Sequence, residues 1–563
     1  MLVFVQALAA APVDAQTPSP GPLPAPVFER PSDRLPPADL PTPEQDRERY
    51  VLPPIPPPSQ EAAPGGESPG LLVLSAIRFV ENTAIPSADL ERGVEPFLEL
   101  RLDAEGLEAL RRHVTQLYVT AGFINSGAVI PPQSVTDGVL EIQIVEGALE
   151  RVELFGLSAY RADVVRDRIL RHIDAPLDVA DVDLALRLLD QDPRIERIDA
   201  RLRPGSRRDR AVLELTVEEA RPHAIEFGFD NHESPSVGAF AGRLRARHDN
   251  VLGYGDDFRF SFTRTEGLSR LNAAYALPVH VSGTALVFEA SYGEAELVDN
   301  QLKALDIGSV DWSVSLGLRQ TLWHTPTDRV DWTMLLDVRR SETFIFGNQP
   351  FSFLTNGPED GRSELRVVRS IVEWTHRAPA TVVALRSMAS FGTGFLDATT
   401  ETGERPDGEF VSWYAQARGL HRFDRGGIEL SLRADFQLAN RPLLPLEQFA
   451  IGGAGNVRGY RRNQIVADQG VATGVDLRVP VWRRDDATTL LALTPFIDFG
   501  YAWNRDRETP GIRTLSSIGL GFEWTPHPSL AIGIDLAHGF RNTGDSGDLQ
   551  DRSVHLGLTW RAW

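Results

Sequence analysis

Cysteine is absent from the 563 residues, which removes disulfides, thiolate metal sites and cysteine nucleophiles. A secreted domain without cysteine has to be large enough to hold itself together by burial. No stretch approaches the roughly 18 apolar residues of a membrane-spanning helix. Basic charge is in deficit, with 57 Lys and Arg against 78 Asp and Glu and a net charge of −21. Nucleic acid is therefore not an expected partner, because phosphate binding needs a basic face. The phosphate-cradling GxxxxGK(S/T) loop is missing, and the twelve histidines are scattered without the HExxH of a zinc protease. Gly452-Gly453-Ala454-Gly455 lacks the strand-to-helix setting of a dinucleotide site, so no cofactor or metal is expected. Gly544-Asp545-Ser546-Gly547 has the look of a serine-protease nucleophile segment, but it lies in a polar stretch with no scaffold for a histidine and an acid. An enzyme is not expected.

What is present falls into three regions. Residues 1–15 have a short apolar core and a small-residue end, as in a signal-peptide remnant lacking its basic start. Proline dominates residues 16–70, which cannot bury a core and read as an extended linker of polyproline character. From residue 71 two α+β units are expected in tandem, 71–147 and 148–219, each ordered strand, helix, helix, strand, strand. In the first, Ser87 is placed to cap a short helix, and Leu107, Leu110, Val114 and Leu117 share one face of the next. In the second, Val182, Ala185 and Leu189 do the same.

Residues 220–563 alternate with period two almost throughout. Phe258, Phe260 and Phe262 oppose Arg259, Ser261 and Thr263; Trp312, Val314, Leu316 and Leu318 repeat the scheme, as do Val330, Trp332, Met334, Leu336 and Val338. Alternation alone fits a soluble sandwich or a membrane barrel equally. The connections decide: short turns alternate with long polar loops such as 346–363, 397–409 and 541–552, and the breaks divide the region into about sixteen strands of outer-membrane length. A closed, antiparallel 16-stranded transmembrane β-barrel is predicted, with both ends beside the tandem units and no exposed sheet edge. Trp503, Trp524 and Trp560 near strand ends read as anchors in the membrane interface. One stretch breaks the pattern. QFAIGGAGNVRGYRRNQ (448–464), between strands eleven and twelve, is too apolar at Phe449, Ala450 and Ile451 for a loop in water.

These features, with several short motifs, resemble the hemolysin secretion and activation proteins of two-partner secretion. The first unit is similar to a polypeptide-transport-associated (POTRA) domain, with Pro132 and Gln133 in Ile130-Pro131-Pro132-Gln133 and Glu146 and Gly147 in Ile144-Val145-Glu146-Gly147. The second is similar to its partner, with Arg203-Pro204-Gly205 before the last strand. His248-Asp249-Asn250-Val251-Leu252-Gly253-Tyr254-Gly255-Asp256 matches an early barrel turn. Val457, Arg458, Gly459 and Tyr460 match the sixth-loop motif, and Phe496, Asp498, Phe499 and Gly500 its companion on strand thirteen. Asn456 stands where the family pattern calls for serine, and the prolines of 16–70 leave little room for the N-terminal plug helix the family often carries.

The resemblance implies an outer-membrane translocator with POTRA domains in the periplasm. Its partner would be an exoprotein of adhesin, hemagglutinin or hemolysin type, taken in extended form, and its barrel a monomer in lipid with porin activity. The loop near 440–470 would fold into the lumen as a plug. Arg458 buried there needs a carboxylate, since an unpaired buried charge costs several kcal/mol, and Asp498 is the candidate for a one-pair latch. An extended client would add to an open sheet edge of the tandem units. Other readings stay open: an assembly factor for other barrel proteins, a passive porin, units that only brace the barrel, or Arg458 in an ordinary outer loop.

Overall fold

The computed structural model describes residues 72–298, 303–352, 358, 360–400, 405–423, 426–483, 490–509, 511–544 and 547–562. The expected signal-peptide remnant and proline-rich linker lie outside the described residues, as do Asp545 and Ser546.

The first unit contains β1 (Leu72–Val73), β2 (Ala76–Val80), α1 (Ser87–Val94), β3 (Arg101–Leu102), α2 (Ala104–Thr120), β4 (Gly127–Val129) and β5 (Val139–Val145). Its sheet runs β2-β5-β4, with β2 parallel and β4 antiparallel to the central β5. Asp103 caps α2 by accepting the Gly106 N–H at 2.9 Å. Ser87, expected as a cap, is instead the first helical residue of α1; Pro86 precedes it and no side chain caps that end. Leu110, Val114 and Tyr118 of α2 are buried, with Leu107 and Leu117 packed beside them, against Ile77, Leu140, Ile142 and Ile144.

Only Glu146 and Gly147 separate β5 from the second unit. This consists of β6 (Ala148–Phe155), α3 (Ala162–Leu170), α4 (Val179–Asp190), β7 (Ile195–Pro204) and β8 (Arg210–Glu219), in sheet order β6-β8-β7. The topology repeats that of the first unit. Val182, Ala185, Leu186 and Leu189 close its core against Ile198, Leu213 and Leu215.

The remaining strands are β9 (His223–Asp230), β10 (Ala241–His248), β11 (Asp257–Arg264), β12 (Leu268–His280), β13 (Thr284–Glu296), β14 (Gly308–His324), β15 (Asp328–Ile345), the two-residue β16 (Gln349–Pro350), β17 (Arg362–Arg377), β18 (Thr381–Gly392), β19 (Val411–Arg422), β20 (Glu429–Ala439), the loop strands β21 (Phe449–Ile451) and β22 (Ile465–Ala467), then β23 (Gln469–Arg483), β24 (Leu490–Trp503), β25 (Thr514–His527), β26 (Leu530–Gly539) and β27 (Val554–Arg561). With β16, β21 and β22 set aside, sixteen strands close a barrel in which β27 pairs with β9. β16 is a short hairpin addition within the loop at 346–361.

Alternation sets the two faces. Val314, Leu316, Leu318, Met334 and Leu336 are exposed on the outside, while Asp311, Ser313, Ser315, Thr333, Asp337 and Arg339 are buried inside. An apolar exterior and a polar lumen suit a cylinder standing in lipid, where closure leaves no backbone group unpaired. The second unit abuts one end of the cylinder. Arg161 N–H donates to the Gly253 carbonyl at 3.0 Å, Arg194 Nε to the Asp249 carbonyl at 2.5 Å, Arg171 to the Val281 carbonyl at 2.9 Å and Gln191 to the Pro326 carbonyl at 2.6 Å. These acceptors lie in three successive turns of the barrel, so that end is fixed as the one facing the tandem units.

Candidate functional site

Residues 440–468 connect β20 to β23, the eleventh and twelfth wall strands, and fold into the lumen. Phe449, Ala450 and Ile451 form β21, paired with β22 through Phe449↔Ala467 and Ile451↔Ile465. All three are buried, which accounts for their apolar character in a loop. At Gly452 the backbone has φ +110°, and a Cβ would lie 2.5 Å from the Arg461 carbonyl oxygen, so the turn of this hairpin admits only glycine. Asn456 binds the tip together. Its Oδ1 accepts the N–H groups of Gly452 and Val457 at 2.8 and 2.7 Å, and its Nδ2 donates to the Ala450 carbonyl at 2.9 Å. A serine could not span these three backbone groups, so the departure from the expected pattern has a local reason.

The tip carries Arg458, only 6% exposed. Its Nε and Nη2 donate to Asp498 Oδ2 and Oδ1 at 2.8 and 3.0 Å, and its backbone N–H donates to Oδ2 at 3.1 Å. The guanidinium carbon lies 3.4 Å from the centroid of the Phe496 ring, a cation–π contact in a dry site. The expected partners are thus in contact, but the expectation of a single ion pair needs correction. Arg458 also donates to Asp476 at 2.6 Å and lies 4.0 Å from Asp535, and Arg433 donates to both Asp476 and Asp498. Two guanidiniums, Arg458 and Arg433, thus share the two carboxylates Asp498 and Asp476, so the latch is a four-charge cluster rather than a pair.

Strand register explains the cluster. Arg433 on β20 pairs with Gly474 on β23, and Gly474 pairs with Asp498 on β24. The Arg433 guanidinium passes over Gly474, where a Cβ would lie 2.5 Å from its central carbon, and so reaches the next strand. The companion motif divides between the faces. Phe496, Asp498 and Gly500 point inward, and a Cβ at Gly500 would come within 2.9 Å of Val457. Phe499, grouped with them on sequence, is exposed on the outer face, because adjacent residues of a strand point to opposite sides. Gly459 N–H donates to His555 Nε2 at 3.0 Å, and the Tyr460 hydroxyl donates to the Ser516 carbonyl at 2.7 Å.

Two further anchors hold the limbs of the loop. Glu447 is buried between Arg339 of β15 and Arg369 of β17, with contacts of 2.7, 2.7 and 3.0 Å, and Arg369 also meets Asp337 at 2.9 Å. Asp468 accepts the Leu443 N–H at 3.0 Å and meets Arg507 at 2.8 Å. Sequence reading missed both. The signal lay in Asp337, Arg339 and Arg369, charged residues in mid-strand on the lumen parity; nothing in the sequence names Glu447 as their partner. Removing one member of such a buried cluster strands the others and costs about 3–5 kcal/mol.

The signatures of the tandem units are joints. Gln133 Oε1 accepts the Glu141 N–H at 2.9 Å and its Nε2 donates to the Glu141 carbonyl at 2.6 Å, so a side-chain amide extends the sheet past the end of β4. Pro132 precedes it in the segment that turns away from β4. Glu146 accepts the N–H groups of Thr83 and Ala84, each at 2.7 Å, and the Thr83 hydroxyl. Partial burial pushes its carboxyl up, but these donors outweigh burial and hold it below the usual glutamate range. At Gly147 a Cβ would lie 2.3 Å from the Asn125 side chain. Glu219, at the matching end of the second unit, accepts the Tyr160 N–H at 2.7 Å and the Ser158 hydroxyl and is lowered in the same way. Sequence reading did not single it out.

The family model for the haemolysin secretion/activation protein ShlB/FhaC/HecB matches residues 209–524, and that for the ShlB-type POTRA domain matches residues 72–147. Outer membrane transporter CdiB of Dickeya dadantii (strain 3937) is 21% identical over 457 residues, covering 80% of this chain and 79% of its own length. Its namesake from Escherichia coli O6:K15:H31 (strain 536 / UPEC) is 25% identical over 473 residues, covering 80% and 76%. Among solved structures, CdiB from Escherichia coli aligns with a TM-score of 0.64 at 20% identity over 91% of this chain and 94% of the other, a likeness of fold.

Proposed function

As the chain belongs to the haemolysin secretion/activation family of two-partner secretion transporters, outer-membrane barrels with POTRA domains in the periplasm, we propose that it receives its exoprotein as an extended chain on the second α+β unit and passes it through the lumen once the inward loop gives way. The family consists of transporters rather than enzymes, each working with a secreted exoprotein. The client is read as an adhesin, hemagglutinin or hemolysin-like chain, and the functional unit as one barrel in outer-membrane lipid.

The observation that carries this reading is the free outer edge of β7. From Arg197 to Pro204 its only strand partner among the described residues is β8. The corresponding edge strand of the first unit, β4, is not free. The Thr115 hydroxyl accepts the Ala128 N–H at 3.1 Å, and Arg111 donates to the Ala128 carbonyl at 3.3 Å. The free edge starts beside Arg194, which grips the first turn of the barrel, so a strand added there would end at the mouth of the pore. Arg458, Asp498, Phe496, Gly500, Val457, Gly459 and Tyr460 would seat the plug, with Asn456 keeping its tip folded. Phe499 would serve the lipid face instead.

A photo-crosslinking residue at Arg201, on the free edge, tests the recognition step in secreting cells. Capture of the exoprotein there and not from Asp183 on α4 supports it. Continued secretion with no product at any β7 position sinks it.

A further inference from the structure

We propose that the inward loop has a second role: its tip bolts the seam where the first and last barrel strands meet, with Asn231 and Gln550 as the positioning residues. The seam is the short side of the cylinder. β9 and β27 pair over five positions, from Arg561↔Glu226 to Gly557↔Asp230, whereas β9 pairs with β10 over eight and β26 with β27 over seven.

Beyond Gly557 the ladder is carried on by a side chain. Asn231 Oδ1 accepts the Leu556 N–H at 2.7 Å, its Nδ2 donates to the Val554 carbonyl at 3.0 Å, and its backbone N–H donates to the Leu556 carbonyl at 3.2 Å. A carboxamide offers the same donor and acceptor as a peptide unit, so Asn231 stands in for strand residues that β9 lacks. Gln550 fixes it in turn. Its Nε2 donates to the carbonyls of Asn231 and Glu233, each at 2.6 Å, and its Oε1 accepts the N–H of Arg462, in the loop tip, at 3.0 Å. Asn231 and Gln550 are both 0% exposed.

The tip therefore touches both sides of the seam. On the first-strand side Arg462 meets Glu233 at 2.7 Å, and Glu233 also meets Arg243 of β10 at 2.8 Å. On the last-strand side Gly459 holds His555, the Ser553 hydroxyl donates to the Gly459 carbonyl at 3.0 Å, and Arg461 meets Asp551 at 2.6 and 2.8 Å. Withdrawing the tip leaves Gln550 Oε1 without this donor and takes a cation from a Glu233 carboxylate that is 1% exposed. Buried groups tolerate neither loss without cost. Seating of the loop and closure of the seam thus share their hydrogen bonds, and each stabilises the other.

The absence of native cysteine makes the coupling measurable in the full-length protein. Val457→Cys reports unseating, because that side chain is fully buried when the loop is in place. Gln550→Ala or Asn231→Ala in this background, in barrels whose folding is verified by heat-modifiable migration, is expected to speed maleimide labelling by about tenfold, the effect of losing one buried hydrogen bond. An unchanged rate overturns the proposal. A second arm leaves the lumen untouched and decides if those variants do not fold. Phe229→Cys with Leu558→Cys places a disulfide across the seam at a paired position. Oxidation is expected to slow tryptic cleavage at Arg458, Arg461 and Arg462 relative to the reduced form; identical cleavage in both redox states overturns the coupling. Asn231→Gln, which keeps the amide, is expected to recover part of the slow labelling. Full equivalence of the alanine and glutamine variants with the parent would assign Asn231 no role.

Discussion

The tandem units and the barrel lumen are both tightly packed, but by opposite means. Each unit closes on an apolar core in which Leu110, Ile142, Leu186 and Leu213 have no exposed surface; Glu146 and Glu219 tie down one loop each at the rim, and Asp192 is buried against Arg168 and Arg194 where the second unit meets the barrel. The lumen keeps charge at its centre: Arg458, Arg433, Asp476 and Asp498 in one cluster, Arg339, Arg369, Asp337 and Glu447 in another. Apolar burial is non-directional and stabilises each large aliphatic side chain by about 1.5–3 kcal/mol. It gives a domain that stays shut. Buried ion clusters are poor net stabilisers against an apolar alternative, but they accept only one geometry and fail sharply when a member is lost. That contrast fits a permanent scaffold beside a movable plug.

The largest effect is expected in the lumen. Asp498→Ala leaves Arg458 and Arg433 crowded on the single carboxylate of Asp476 and should cost about 3–5 kcal/mol of loop seating, read as rapid tryptic cleavage at Arg458 and raised bilayer conductance with the barrel still folded. A charge exchange between Arg458 and Asp498 should not restore seating, because Arg433 would then face an arginine at 498; recovery in the double variant would return the site to a simple pair. Next is the apolar side: Leu213→Ala, at the centre of β8, should cost about 2–5 kcal/mol and melt the second unit without unseating the loop. If it freed the loop as well, the two regions would not be separate. Glu447→Gln keeps the shape and removes the charge, and should weaken the loop limb by roughly 1.5–3 kcal/mol, seen as earlier cleavage between 440 and 451.

Smaller still is a pH effect at the joint between the regions. Burial pushes the Asp192 carboxyl up, but Arg168 and Arg194 outweigh it and hold it at about 2, below its ordinary 3.8. A folded-state value depressed in this way adds stability that is fully present above about pH 3.8 and is lost as pH falls towards 2. Arg194 also grips the barrel turn, so cleavage of the segment 219–223 should rise across that window and stay flat above pH 5. The smallest change is Glu146→Gln or Glu219→Gln, each expected to cost about 1 kcal/mol and to lower the melting temperature of its own unit only.

Local chemistry made much of this legible. Period-two alternation over 220–563 announced strands with one apolar face, and the contrast of short turns with long polar loops made them a barrel rather than a sandwich. The 3.6-residue spacing of Leu110 and Val114 likewise announced α2. The glycines and the apolar run of 448–464 marked a loop unsuited to water, and the family resemblance implied that it turns inward. What lay beyond reading were partners distant in sequence. Asp498 was paired with Arg458 by motif, but its second donor, Arg433, depends on the register of β20, β23 and β24 and on the missing side chain at Gly474. Phe499 was grouped with the site although strand parity sends it to lipid.

By itself, then, the amino-acid order determined which segments become strand or helix and which face of each is apolar, since those properties depend on neighbours a few positions apart. Which carboxylate meets which arginine, which sheet edge stays open and how one amide completes the seam were decided only when the cylinder closed. Closure sets β27 beside β9 and the loop tip against both, and contacts over more than three hundred residues have no local signature for a sequence to carry.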